Sequence, residues 1–331
     1  MSDIAQLTSS QLSSMYEVMC KSQALELRIL KGMRSGEFAT IIWPARGQEA
    51  VAGALSLALR PDDRLITTYR GLHDHVAKGV PLVEIAGEVL GTSVGACNGK
   101  GGTMHIAAPE QGLMMSTGIV GSGLPVGVGL ALAARFQKSD RVTAVTFGDG
   151  ATNTGSFHEA VNLAATWKLP VVFVCQNNLY AEMTPVEETM AIPHVADRAK
   201  GVGMPGVTVD GNDPVSTYLA IREAVDRARA GEGPTLVEAV TFRFEGHYAG
   251  DQMKYIPAEQ LEEARKHDPM ITFRETLLSH PEITEEQLAA IEARAAQEVD
   301  EAVEAAKAAP QPDAAEIERD VYAERLVAGN V

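Results

Sequence analysis

The sequence predicts an α/β fold with a central, mainly parallel sheet flanked by helices. Three observations carry this. Residues 142–147 (VTAVTF) and 171–175 (VVFVC) are short apolar runs with β-branched residues, as strands buried on both faces present. Between them Phe157, Ala160, Val161, Ala164 and Ala165 recur at spacings of three and four, marking an amphipathic helix over 152–168 that Leu169-Pro170 stops. Strand, helix and strand within about thirty residues form a right-handed βαβ crossover, which puts both strand ends on one sheet edge.

The other elements follow from the same patterns. Residues 9–34 carry Leu12, Met15, Tyr16, Met19, Leu25, Leu27 and Leu30 among polar positions, consistent with one long helix. A loop over 35–47 leads to a small-residue helix from Gln48 to Leu59, stopped by Arg60-Pro61. Residues 91–125 are glycine-rich and read as a long irregular loop, a feature that compact domains usually reserve for function. A helix over 126–136, a loop from 178 to about 206, a strand near 207–209, a helix over 214–230 and a strand over 235–242 complete the sheet region. The tail reads as mostly helical, with a Glu/Ala-rich helix over 284–308 whose charges mark a solvated face. The organisation expected is one domain over 1–331, with helical extensions at 1–60 and 255–331.

The chain has 331 residues, 45% of them hydrophobic, enough for a buried α/β core. No apolar run approaches the length of a membrane span, and the first residues (MSDIAQLTSS) lack a charged-then-apolar signal. Cys20, Cys97 and Cys175 show no CxxC spacing and read as reduced thiols in a cytoplasmic protein. A net charge of −16 argues against a nucleic-acid partner.

The chemistry concentrates after the first strand of the crossover. Gly148-Asp149-Gly150 opens the helix, and Asn177-Asn178 follows the second strand. Glycines there let the backbone N–H groups of Gly150 and Ala151 approach a phosphate. Asp149 and the side-chain oxygen of Asn178 form a hard, incomplete oxygen cage. Mg²⁺ suits such a cage, because it completes its octahedron with substrate phosphates. GDG by itself is an ordinary turn; the crossover between it and Asn178 makes a Mg²⁺–diphosphate site the better reading. Two other glycine clusters are set aside. Gly121, Gly123, Gly127 and Gly129 precede a helix without following a predicted strand, and residues 99–103 lack the GxxxxGK[ST] spacing.

GDG, roughly thirty residues and NN resembles the thiamine-diphosphate fingerprint. The run GDGATNTGSFHEAVNLAATWKLPVVFVCQNNLY resembles the α subunits of 2-oxo acid and acetoin dehydrogenases. So do GQEA at 47–50, ITTYRG at 66–71, GKGGTMH at 99–105, GIVGSG at 118–123, MPGVTVDGND at 204–213 and GHYAGD at 246–251. The resemblance spans roughly residues 15–325. It implies the thiamine-diphosphate-binding fold and, as cofactors, thiamine diphosphate with Mg²⁺.

The resemblance also implies residue roles. The backbone carbonyl of Tyr180 joins Asp149 and Asn178 as a metal ligand. Tyr69 and Arg70 match diphosphate contacts, a guanidinium fork suiting phosphate better than an ammonium. Gly118 and Val120 belong to the segment along the cofactor's ring linker. His247, in GHYAGD, matches the catalytic histidine that contacts the cofactor and moves protons. His105 has a structural role in orienting the glycine loop. Two positions depart from the pattern. Relatives with YRxH carry a histidine where Leu72 stands; either His73, the second catalytic candidate, replaces it through a shifted loop, or the role is missing. Mitochondrial relatives carry a regulatory phosphoserine where Tyr248 stands.

The function implied is that of a dehydrogenase α subunit cleaving acetoin, or decarboxylating pyruvate, and passing the two-carbon unit to a lipoyl group on an acyltransferase. A β subunit, in an α2β2 assembly, supplies the glutamate that contacts the aminopyrimidine. A branched-chain or other 2-oxo acid dehydrogenase is the alternative substrate reading. A non-catalytic scaffold and a Mg²⁺-dependent phosphohydrolase are alternatives of other classes; the residues after Asp149 (ATNTGS) offer no second carboxylate for the latter.

Overall fold

Six parallel strands build the sheet of this computed structural model, which describes residues 4–320. Residues 1–3 and 321–331, the outer ends of the two expected extensions, lie outside the described residues. In chain order the strands are β1 (Arg64–Thr68), β2 (Leu113–Thr117), β3 (Thr143–Gly148), β4 (Val171–Asn177), a two-stranded hairpin of β5 (Tyr180–Ala181) and β6 (Thr184–Pro185), then β7 (Gly206–Asp210) and β8 (Thr235–Val240). The parallel sheet runs β2-β1-β3-β4-β8-β7. The helices are α1 (Ser9–Ser35), α2 (Glu49–Ala58), α3 (Leu72–Ala77), α4 (Leu82–Leu90), α5 (Gly123–Phe136), α6 (Gly155–Trp167), α7 (Val186–Thr189), α8 (Pro214–Arg229), α9 (Ala258–Arg265), α10 (Pro269–Leu278) and α11 (Glu285–Ala308).

Alternation along the strands divides the core into two layers. Val172, Val174, Val237 and Ala239 pack on one face with Met15 and Met19 of α1, Val51 and Leu55 of α2, and Val215 and Ile221 of α8. Phe173, Cys175 and Val145 pack on the other with Leu124 and Val128 of α5 and Phe157 and Val161 of α6. Each of the buried Val, Leu, Ile, Met and Phe side chains contributes about 1.5–3 kcal/mol relative to exposure. The N-terminal extension is therefore not an appendage, since α1 and α2 supply one wall of the sheet's own core.

Local signals set the helix ends. Thr8 and Gln11 form a reciprocal capping box at the start of α1, and Gly36, at φ 73°, ends it. Thr284 and Gln287 repeat the capping box at α11. The expected solvated face of α11 is in part an interhelical one, because Glu298 pairs with Lys21, and Glu304 with Arg28, of α1.

The glycine-rich stretch 91–125 departs from the expected loop. Residues Leu113–Thr117 form the edge strand β2, pairing with β1 and extending the parallel sheet. Its Met- and Thr-bearing sequence lacks the continuous β-branched pattern of a central strand, so periodicity misses it. The glycine cluster at 121–129 does therefore follow a strand, and a β2–α5–β3 unit begins there, which removes that ground for setting it aside. Glu88 of α4, fully buried, organises the preceding loop by accepting the backbone N–H groups of Cys97, Gly99, Gly101 and Gly102 at 2.6–3.1 Å.

Among the described residues, no helix is long and apolar enough to cross a membrane. The three cysteines are free, Cys20 and Cys175 being buried.

Candidate active site

Register brings the site together. Gly148 of β3 pairs with Gln176 of β4, so the chain leaves both strands at the same carboxyl edge, with Asp149 and Asn178 just beyond. A cavity of about 510 Å³ opens there, within the range of cofactor pockets. Tyr69 and Arg70 enter it from the end of β1, Gly118 and Val120 from the end of β2, Gly150 and Ala151 from the turn after β3, Tyr180 from the hairpin, and His247 from the loop after β8. All these expected site residues line one cavity, together with Asp149 and Asn178.

His73 is not among its lining. It sits in α3, 3% exposed, with Nε2 2.8 Å from Gln176 Oε1 and Nδ1 unpartnered. The shifted-loop exchange is absent because Leu72 and His73 are both folded into a helix. His105 lies outside the lining as well, behind Gly118, where a Cβ would come 3.6 Å from its Nε2.

Asp149 is 2% exposed, and its Oδ2 has no hydrogen-bond partner. Burial pushes its carboxyl up to about 6, opposed by backbone N–H groups and by the Arg243 and Arg70 guanidinium groups. Asn178 donates from Nδ2 to Gln48 Oε1 at 2.9 Å, while its Oδ1 accepts one long bond, 3.3 Å, from Tyr180 N. Gly150 must lack a side chain, since a Cβ there would stand 2.8 Å from Ala181 Cβ. The result is a cradle with a bare carboxylate oxygen, an amide oxygen with spare capacity and exposed backbone, which fits a small hard cation carrying phosphate oxygens. Among the described residues no three His, Cys, Asp or Glu side chains form a ligand group. The donor set here is instead one carboxylate with neutral oxygens.

The opposite wall is cationic. Arg70 is buried and donates from Nη1 to Pro44 O at 2.8 Å, which turns its other end to the cavity. Its Nη2 lies 3.1 Å from His247 Nδ1. A guanidinium only donates, so Nδ1 accepts and the His247 proton resides on Nε2. Burial, then Arg70 and Arg243, hold His247 down at about 4, hence neutral near pH 7. Its backbone N–H donates to Asp251 Oδ2 at 2.7 Å. Trp43, Tyr69 and His247 stack edge to face in sequence, with centroid separations of 5.4 and 6.4 Å.

Sequence reasoning missed several wall residues. Trp43 and Gln48 come from the first helical region, where the loop is pinned by Glu26 accepting from Ala45 N and Arg46 N. Arg243 lines the cavity, 1% exposed, donating to Glu182 O at 2.7 Å and Tyr255 Oη at 2.8 Å. Its signal was available: one cation inside the apolar run VTFRF, four residues before His247. Gln48, Gln176 and Asp74 are linked behind Asn178, and no local pattern marks that linkage.

A family model of the dehydrogenase E1 component matches residues 16–315. Acetoin:2,6-dichlorophenolindophenol oxidoreductase α subunits from Bacillus subtilis (strain 168) and Cupriavidus necator are each 40% identical over 318 residues, covering 96% of this chain and 95% of the relative. The 2-oxoisovalerate dehydrogenase α subunit of Bacillus subtilis is 38% identical over 314 residues, covering 92% of this chain and 94% of the relative. With a family match over most of its length and relatives aligned nearly end to end, this chain belongs to the dehydrogenase E1 component family of thiamine-diphosphate-dependent oxidoreductases.

Proposed function

We propose that this chain is the α subunit of an acetoin dehydrogenase, binding thiamine diphosphate through Mg²⁺ and passing a two-carbon unit to a lipoyl group of an acyltransferase partner. The observation that carries the reading is the convergence on one cavity of the unpartnered Asp149 carboxylate, the Asn178 amide, the Arg70 guanidinium and the neutral His247. Bound there, the cofactor would supply a nucleophilic carbon and an electron sink for cleavage of a carbon–carbon bond next to a carbonyl. Asp149, Asn178 and the Tyr180 carbonyl would hold Mg²⁺. Gly150 and Ala151 N–H groups, Tyr69 and Arg70 would hold the diphosphate. Gly118 and Val120 would lie along the cofactor's rings, and His247 Nε2–H would donate a proton to the reacting substrate oxygen.

The chain supplies one wall of this chemistry. Ile119 and Val120, 68% and 53% exposed, stand bare at the cavity. Exposed apolar side chains beside a site suit a second subunit, here a β subunit that brings the aminopyrimidine-contacting glutamate in an α2β2 assembly. A cytoplasmic location fits the free thiols. The acetoin reading is supported by the 40% identity to two acetoin oxidoreductase α subunits; a branched-chain 2-oxo acid is the second reading, favoured by the 38% relative.

The test is co-expression with the β subunit, calorimetric titration of thiamine diphosphate with Mg²⁺, and turnover with 2,6-dichlorophenolindophenol as acceptor. Mg²⁺-dependent binding lost in Asp149→Ala, with acetoin preferred over pyruvate and 2-oxoisovalerate, is expected. Preference for either 2-oxo acid would transfer the substrate assignment, and absence of binding in a well-formed complex would leave a scaffold role.

A further inference from the structure

The structure assigns Asp74, Gln176 and Gln48 a positioning role: they determine which end of the Asn178 amide faces the cation. The inference rests on the reading of Asp149 and Asn178 as the Mg²⁺ half of the cofactor site.

A carboxamide has a donor end and an acceptor end of nearly the same shape, so packing alone does not choose between them. Its hydrogen-bonded neighbours must. Asp74, 1% exposed, accepts from Thr67 Oγ1 at 2.5 Å, Thr146 Oγ1 at 2.7 Å and Gln176 Nε2 at 3.0 and 3.1 Å. A carboxylate only accepts, so Gln176 turns its NH₂ toward Asp74 and its Oε1 away. That oxygen receives Gln48 Nε2 at 2.7 Å. Gln48 then offers Oε1 to Asn178 Nδ2 at 2.9 Å. The donor end of Asn178 is thereby occupied, and Oδ1, which accepts only the long 3.3 Å bond from Tyr180 N, is the end left for a cation. Gln48, Gln176 and Asn178 are each at most 5% exposed, which leaves no solvent to satisfy a reversed amide.

His73 identifies Asp74 as the origin of this polarity. Its Nε2 also meets Gln176 Oε1, at 2.8 Å, but its Nδ1 has no partner. That same Nε2 lies 3.3 Å from Asp74 Oδ1, so the carboxylate holds the proton on Nε2 and His73 donates to Gln176 Oε1 in the direction Asp74 imposes. Asp74 can only accept, and so orients both neighbours. Reversing the amides would aim an NH₂ group at a dication, the arrangement a metal site tolerates least.

Mg²⁺ binding measured by calorimetry at saturating thiamine diphosphate, on the full chain co-purified with its β subunit, tests this; thermal unfolding of each cofactor-free variant is followed alongside. Asp74→Asn keeps the shape but admits both amide directions, and Mg²⁺ affinity should fall about 10- to 100-fold, the usual effect of losing outer support for a metal ligand. The double variant Asp74→Asn/Gln176→Glu restores an acceptor-only group one link along at the same net charge, and should recover most of the affinity. A purely structural Asp74 would not be rescued by a carboxylate at 176. Wild-type affinity in Asp74→Asn, or equal weakness in the single and double variants, would overturn the inference. Should Asp74→Asn fail to fold, Gln48→Met cuts the link beside Asn178 and must itself weaken Mg²⁺; unchanged affinity there overturns it equally. Asp149→Ala separates the two readings. If it retains Mg²⁺ binding, the site assignment fails and this inference with it. If it alone loses binding, only the positioning role fails.

Discussion

Arg70 Nη2 lies 3.1 Å from His247 Nδ1, joining residues 177 positions apart and fixing the histidine as a neutral Nε2–H donor. The contact ties the loop after β1 to the loop after β8 across the mouth of the cavity. It also sets the electrostatics, because the guanidinium is one of the causes holding His247 down at about 4.

His247→Ala should therefore lower kcat by about 100-fold or more, as expected for loss of a positioned proton donor, while cofactor affinity changes by a smaller factor. Steady-state kinetics on the assembled enzyme, beside cofactor titration, checks the split. Equal losses in both quantities would make His247 a binding residue only.

Asp149 gives a pH dependence whose sign follows from its raised value of about 6. The cofactor-free folded chain binds this proton more tightly than the unfolded chain, whose aspartate titrates near 3.8. The stabilising contribution is thus full below about pH 3.8 and is lost as pH rises to about 6. Mg²⁺ requires the ionised form, so its apparent affinity should drop about tenfold per pH unit below about pH 6 and level off above it. Calorimetry between about pH 5 and 7.5, in buffers of different ionisation heat, should show up to one proton released at the acid end.

Gly150 and Gly148 make a paired test of the cradle. A Cβ at Gly150 would stand 2.8 Å from Ala181 Cβ, whereas one at Gly148 meets nothing within 4 Å. Gly150→Ala must push the hairpin that carries Tyr180, and should weaken cofactor binding about tenfold, the scale of a disturbed outer support. Gly148→Ala, whose Cβ meets no protein atom, should leave the hairpin in place and weaken binding less than Gly150→Ala does. Similar losses in both would place the constraint elsewhere than at the hairpin.

Glu88 is the structural counterpart. It accepts four backbone N–H groups of the glycine loop. Glu88→Gln turns a donor toward one pair of them, and should cost about 2 kcal/mol or more, since a buried donor left unpaired costs about 1–3 kcal/mol. Denaturant unfolding of the full chain measures this, with the midpoint expected to fall at unchanged slope.

The sequence by itself determined the β3–α6–β4 crossover and, through it, the meeting of Asp149 with Asn178. Those signals are local: continuous apolar runs, a helical stripe, a glycine turn and a proline stop lie within one short segment. The assignments of Tyr69, Arg70, Gly118, Val120, Tyr180 and His247 came from resemblance, and the structure draws them into one cavity. Only the tertiary structure decided that Leu113–Thr117 is an edge strand, since three apolar residues followed by two hydroxyl residues show no alternation. Only it placed His73 behind Gln176, because α3 begins at Leu72 and buries both Leu72 and His73, neither of which lines the cavity. It alone linked Asp74, Gln176, Gln48 and Asn178. These residues are separated by up to 130 positions and share no spacing, and the direction of their amides depends on which buried atoms face each other after the helices have packed on the sheet.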